Sequence, residues 1–161
     1  MNPRAPPAYA ELHCRSNFSF GVGASHPEEL VARAAALGYA ALALTDECSV
    51  SGMVRAHTEA KKQGLQLLPG AQFAVSWAGV GFCVIALARD LTGWGDLCEF
   101  ITLARRSAPK GQYQVCWGDA SWSKLCGCET LLLFQDAMDL EAACAVTNSA
   151  RGLFGSHLWL A

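Results

Sequence analysis

The 161-residue sequence is poor in charge: 16% of its residues are Asp, Glu, Lys or Arg, while 52% are apolar. That balance excludes a disordered tail, because so apolar a chain can bury enough surface to offset its ordering entropy. A basic excess is also missing. Twelve Lys and Arg face fourteen Asp and Glu, for a net charge of −2, which argues against a free-standing nucleic-acid binder held by phosphate neutralisation. No Lys-Ser or Lys-Thr follows Gly21-Val22-Gly23-Ala24 to make a phosphate loop, so that run reads as a turn. Ser16, Ser19 and Ser25 lack the Gly-x-Ser-x-Gly setting of a nucleophile.

The eight cysteines include no C-x-x-C, and only Cys126-Gly127-Cys128 stands close. The spacing fits no common zinc pattern, and buried free thiols are expected instead. Met1 to Ala10 carries no apolar signal run, so the expected compartment is the cytoplasm with its thiols reduced. The uncharged stretch from Gln63 to Ala88 is long enough to span a bilayer, but Pro69, Gly64, Gly70, Gly79 and Gly81 interrupt it. Two buried strands, Phe73 to Trp77 and Val80 to Leu87, turning at Ala78-Gly79, explain it better. No membrane association is expected.

Strands and helices alternate along the chain. Short strands are predicted at Tyr9 to Leu12, Tyr39 to Leu44, Leu65 to Leu68 (closed by Pro69-Gly70), Thr130 to Phe134 and His157 to Leu160. Helices are predicted from Pro27 to Leu37, Val50 to Gln63, Asp96 to Arg106 and Leu140 to Ala150. Ser25 is placed to cap the first, with Pro27 in its first turn and Glu28 completing a capping box. Gln112 to Cys128 matches no periodicity. The alternation implies an α/β fold, a parallel sheet or barrel in one domain. The apolar ending Leu158-Trp159-Leu160-Ala161 suggests that the natural protein continues.

In such folds functional groups collect where strands end. Three strand ends carry polar clusters: His13-Cys14-Arg15-Ser16-Asn17, Thr45-Asp46-Glu47 and Gly70-Ala71-Gln72. On spacing alone, His13 and Asp46 equally suit loop hydrogen bonding. His26, His57 and His157 have no ligand partner nearby in sequence, and Lys61-Lys62 and Arg105-Arg106 read as solvated helix faces.

Several runs, in order, resemble one family. Glu11-Leu12-His13-Cys14-Arg15-Ser16-Asn17-Phe18-Ser19-Phe20 is similar to the opening motif of PHP (polymerase and histidinol phosphatase) domains, and Ala43-Leu44-Thr45-Asp46-Glu47-Cys48-Ser49 to their second. Ser25-His26-Pro27-Glu28-Glu29-Leu30, Arg55-Ala56-His57, Leu68-Pro69-Gly70-Ala71-Gln72-Phe73, Trp94-Gly95-Asp96-Leu97-Cys98, Ala108-Pro109-Lys110-Gly111 and Leu153-Phe154-Gly155-Ser156-His157 resemble one branch of it. That branch is the N-terminal PHP domain of bacterial family C error-prone DNA polymerases, relatives of the replicative polymerase III alpha subunit.

The resemblance implies a partial, distorted β/α barrel of the PHP type. It places a lead-in at 1–8 and the front part of the domain at 9–161. In active members the strand ends hold a metal cluster for phosphoester hydrolysis. Here His13 keeps the first His of a His-x-His, but Arg15 replaces the second. Asp46 keeps the middle of Thr-Asp-His, while Glu47 replaces its His and Gln72 a Glu. Phe20 stands where active members often place an Asp, and Phe82 near another His. A guanidinium cannot ligate a cation and repels one. His13 and Asp46 are thus expected to be vestigial metal residues beside a degenerate pocket of Arg15, Glu47 and Gln72, with Arg15 and Glu47 free to form a charge pair.

No cofactor is expected for the fragment itself, and residual zinc or manganese is not expected. Magnesium, template DNA and deoxynucleotides belong to the parent polymerase. The expected role is a non-catalytic structural or interaction module. Its partners are the rest of the polymerase chain and other replication or translesion proteins, with DNA reached only through the full-length enzyme. The alternatives are a stand-alone metal phosphoesterase using His13, Asp46 and Glu47, and a partial product that does not fold stably.

Overall fold

The computed structural model describes residues 8–134 and 139–161, so most of the expected lead-in lies outside the described residues. Six strands form one sheet in the order β1-β2-β3-β4-β5-β6. They are β1 (Ala10–Cys14), β2 (Ala41–Glu47), β3 (Gln66–Trp77), β4 (Val80–Ala88), β5 (Cys128–Phe134) and β6 (Leu158–Leu160). The sheet is mixed, a correction to the parallel expectation. β1–β2, β2–β3 and β5–β6 pair in parallel, but β4 runs antiparallel to both β3 and β5. The cause is local: Ala78 and Gly79 both take positive φ, 51° and 80°, a tight turn whose twist matches a hairpin and reverses the chain without a crossover helix.

β3 is one strand of twelve residues and runs through Pro69-Gly70, where a break is expected from sequence. Pro69 sits opposite Leu44 in the ladder. Gly70 leaves room for β4, since a Cβ there would lie 2.6 Å from Leu87 Cδ2. Here the neighbouring strands override two local strand breakers.

The helices cover one face of the sheet. Helix α1 (Pro27–Ala36) and helix α2 (Met53–Gln63) bury Val31, Ala34, Met53, Ala56 and Ala60 against Leu42 and Leu44. Helix α1 is capped by His26 rather than Ser25, and it is Glu29, not Glu28, whose carboxylate reaches back to the His26 N–H at 2.8 Å. Helix α3 (Leu91–Arg106) starts at the Asp90 cap, earlier than the expected Asp96, because Asp90 accepts the Gly93 N–H at 2.8 Å. Gly93 also lets the backbone at Gly127 approach: a Cβ on Gly93 would stand 2.1 Å from the Gly127 carbonyl oxygen.

The stretch without periodicity, 112–128, contains a 3₁₀ helix (Ala120–Gly127) and supplies the densest part of the core. Trp117 and Trp122 stack edge-on at 5.0 Å, and Trp122 meets Phe100 at 4.8 Å over Phe73 and Phe82 of the sheet. Aromatic rings with hydrogen-bonded N–H groups fill a core without any regular repeat. Helix α4 (Leu140–Phe154) adds Val146, Ala150 and Phe154 to the same cluster. A 3₁₀ turn, Gly155–His157, stands where the last strand is expected to open.

The opposite face is apolar in its middle, with Ala43, Leu68, Ile85, Leu87 and Leu131 packed together. The sheet curls, so that Leu12 of β1 and Trp159 and Leu160 of β6 line one groove of about 540 Å³ across the open side. This is a half-barrel. All eight cysteines are free, as expected, but Cys116, Cys126 and Cys144 are exposed rather than buried. Among the described residues no helix is long and apolar enough to cross a membrane.

Candidate functional site

The carboxyl ends of β1, β2 and β3 lie side by side, and the ladder sets Glu47 directly opposite Gln72. Alternation along β2 sends Ala43, Thr45 and Glu47 to one face and Leu42, Leu44 and Asp46 to the other. The two acidic neighbours therefore end in different environments.

Asp46 is 1% exposed. Its Oδ1 accepts the Ser16 backbone N–H and the Ser19 hydroxyl, and its Oδ2 accepts the Ser16 hydroxyl, all at 2.7 Å. The Ser16 oxygen in turn accepts the Phe18 N–H and the Ser19 oxygen the Glu47 N–H. Asp46 is thereby a buried carboxylate that ties the β1–α1 loop to the sheet. Gly23 is required in that loop, where a Cβ would fall 1.9 Å from the Ser16 carbonyl oxygen.

Glu47 heads a different arrangement. Gln72, 5% exposed, donates its side-chain N–H to Glu47 Oε2, and the Tyr113 hydroxyl donates to Glu47 Oε1. The Gln72 carbonyl faces His13 Nε2 at 2.5 Å. With its amide nitrogen committed to Glu47, Gln72 can only accept there, so His13 carries its proton on Nε2. The Tyr113 oxygen also accepts the Ala74 N–H at 2.7 Å. Burial, then the bond to Glu47, raise the Tyr113 phenol far above its ordinary pKa, which keeps the donated proton in place.

Arg105 corrects the expectation of a solvated helix face. Its Nε and one terminal nitrogen donate to the carbonyls of Cys48 and Glu47, each at 3.1 Å, and its guanidinium lies 5.5 Å from the Tyr113 ring centre. Arg15 is exposed and makes no ion pair among the described residues, so the expected Arg15–Glu47 pair is absent. Both Glu47 oxygens are already taken by nearer donors.

The structure thus joins His13, Gln72 and Glu47 in one chain, sets Asp46 apart from it, and leaves Arg15 outside it. Sequence reasoning missed Tyr113 and Arg105, which come from α3 and the aperiodic stretch after it. It also missed Ser16 and Ser19 as partners of Asp46. Their Ser-x-x-Ser spacing on a loop was the available signal.

The donor set does not suit a metal cluster. His13 Nε2 is turned to the Gln72 carbonyl, Asp46 is given over to three hydrogen bonds from the loop, and Gln72 is neutral. Among the described residues no three His, Cys, Asp or Glu side chains are grouped to hold an ion.

Comparison with known proteins places these features in a family context. Residues 11–143 match the PHP domain family. The chain is 47% identical to an error-prone DNA polymerase of Methylococcus capsulatus over 156 residues, covering 97% of this chain and 14% of that protein. It is likewise 47% identical to one from Ralstonia nicotianae, covering 99% of the chain and 16% of that protein. Against one from Bordetella parapertussis identity is 59% over 110 residues. The chain thus spans only 14–16% of the length of the first two curated relatives. Among solved structures, a candidate metal-dependent phosphoesterase from Bifidobacterium adolescentis superposes with a TM-score of 0.66 at 15% identity, covering 96% of this chain and 77% of that one. An amidohydrolase from Chromobacterium violaceum superposes with a TM-score of 0.65 at 18% identity, covering 95% and 76%. These two likenesses establish the half-barrel fold.

Proposed function

The chain belongs to the PHP domain family, and from that premise we propose that it forms the front of the PHP domain of an error-prone DNA polymerase, where it is a non-catalytic structural module. The observation that carries this reading is the use of the strand-end carboxylates. Asp46 holds the β1–α1 loop, and each oxygen of Glu47 accepts a hydrogen bond, from Gln72 and from Tyr113. A phosphoesterase site needs carboxylates and imidazoles turned toward metal, and here they are turned to hydrogen bonds within the chain. Identities of 45–59% to proteins named error-prone DNA polymerase support the assignment of the parent.

In this reading primer extension opposite damaged template, with its magnesium and deoxynucleotides, takes place elsewhere in the longer polypeptide. The fragment meets DNA only through that polypeptide, in the cytoplasm. Its partners are the remaining polymerase chain and other replication or translesion proteins.

The test is a chimera in which this chain replaces the matching segment of the Methylococcus capsulatus polymerase. Primer extension in magnesium is expected to persist. The purified chain alone is expected to leave p-nitrophenyl phosphate intact in manganese or zinc. Hydrolysis that disappears in His13→Ala would establish the alternative, a stand-alone metal phosphoesterase of this family.

A further inference from the structure

Glu47 and Gln72 stand at adjoining strand ends, yet the side chain that completes their bonding comes from far along the sequence. Tyr113 lies on the segment between α3 and the 3₁₀ helix, and four contacts fix it. Its hydroxyl donates to Glu47 Oε1, its oxygen accepts the Ala74 N–H at 2.7 Å, and its ring faces both Phe73 and the Arg105 guanidinium. Arg105 in turn grips the carbonyls of Glu47 and Cys48. The Cys48 backbone it holds is itself unusual, with φ of 44° in a residue with a side chain.

The donated hydrogen bonds converge on Glu47. Tyr113 and Gln72 both donate to Glu47, and His13 donates to Gln72. A cation approaching Glu47 would have to make its way past the Gln72 and Tyr113 donors, each of which holds one oxygen of the carboxylate. Arg105 places its positive charge at the Glu47 and Cys48 carbonyls, and the tyrosine hydroxyl points its positive end at the Glu47 carboxylate.

We propose that Tyr113 is a resident plug of the strand-end basin: it fills the approach to Glu47, keeps divalent cations and phosphoesters out, and anchors the 107–119 segment to the sheet. This rests on the reading of the domain as non-catalytic, and it adds to that reading the side chain that enforces the closure. It also gives the aperiodic segment a reason for its fixed path. Trp117 enters the core only a few residues beyond the anchor, so loosening Tyr113 frees the loop that carries Lys110, which is exposed next to it.

The test uses the whole chain and two readouts, limited trypsin cleavage at Lys110 and titration with Mn(II) followed by electron paramagnetic resonance. Mn(II) is the probe because the eight thiols would bind zinc adventitiously. Tyr113→Phe removes one hydroxyl and keeps the ring. Its cleavage at Lys110 is expected to be roughly tenfold faster, the consequence of losing a charge-assisted hydrogen bond that holds the loop. Glu47→Gln is the second variant, which keeps the shape of the acceptor. The double variant is expected to be cleaved no faster than the faster single one, because the Tyr113 hydroxyl and the Glu47 charge belong to one charge-assisted bond.

The wild-type chain is expected to show no saturable Mn(II) binding. Wild-type-like cleavage in Tyr113→Phe, or independent effects of the two substitutions, would overturn the plug while leaving the scaffold reading standing. Saturable Mn(II) binding by the wild type that Glu47→Gln abolishes would overturn both.

Discussion

Ser16 bonds Asp46 twice, through its backbone N–H to Oδ1 and its hydroxyl to Oδ2, both at 2.7 Å. The two residues are thirty positions apart, and this double bond, with the third from Ser19, joins the first crossover loop to the end of β2. Asp46 therefore has a structural use here, holding that loop to the sheet.

Asp46→Ala is expected to destabilise the chain by about 3–5 kcal/mol, because three donors lose a buried charged acceptor. Asp46→Asn keeps the shape but offers one acceptor oxygen, and is expected to cost less, about 1–3 kcal/mol. Urea denaturation of the two variants measures the ordering. A neutral Asp46→Ala would show that the loop is held by something else.

Gly93 and Gly95 sit two residues apart in α3 and are expected to respond oppositely to alanine. A Cβ at Gly93 would meet the Gly127 carbonyl at 2.1 Å, whereas one at Gly95 meets nothing within 4 Å. Gly93→Ala should cost about 1–3 kcal/mol through overpacking, and Gly95→Ala should stabilise by up to about 1 kcal/mol through helix propensity. Melting temperatures moving in the same direction would refute the close approach of α3 to the Gly127 backbone.

The aromatic cluster makes Trp122 the most consequential core side chain. It is fully buried against Phe73, Phe100, Trp117 and Phe154. Trp122→Ala is expected to cost about 3–5 kcal/mol and to remove much of the near-ultraviolet circular dichroism. A variant that keeps both the dichroism and the urea midpoint would mean that the 112–128 stretch is not part of the core.

Alkaline pH should weaken the fold in a defined window. Burial is the first cause that pushes the thiols of Cys14, Cys48 and Cys83 up to about 11 and that of Cys128 to about 12, from an ordinary 9.0. The unfolded chain loses these protons first, so the folded state binds more protons between the two values and stability falls as pH rises. The contribution is intact below pH 9 and is lost through about pH 11–12. Urea midpoints between pH 8 and 11 check the sign. At pH 8, iodoacetamide is expected to modify the exposed Cys116, Cys126 and Cys144 before the buried Cys48 and Cys128, which peptide mapping reads directly.

Legibility from sequence followed the range of the interaction. The strands near Tyr39–Leu44 and Val80–Leu87 and the helix near Val50–Gln63 were readable because runs of apolar residues and the breakers beside them act within a few residues. Gly64 takes φ of 68° just past α2, and Ala78-Gly79 make the turn, where those local signals place them. Pro69-Gly70 misled because pairing with β2 and β4 outweighed a local breaker. The start of α3 was hidden because two glycines lower its helix propensity, and the reason Gly93 fits lies across the fold at Gly127.

By itself, then, the order of residues determined the α/β class, the half-barrel family and the strand ends where polar side chains gather, since periodicity, turn chemistry and motif spacing are written along the chain. The resemblance to PHP domains also implies that Arg15, Glu47 and Gln72 depart from the metal-binding pattern of active members. What those departures do was decided by tertiary structure alone. Alternation sends Asp46 and Glu47 to opposite faces, but only the folded chain brings Ser16 and Ser19 to one, and Tyr113 and Gln72 to the other. Hydrogen bonds reach about 3 Å, while Tyr113 stands sixty-six residues from Glu47. A partner at that separation leaves no pattern in the local sequence, because the energy that selects it exists only once the sheet and α3 have closed around it.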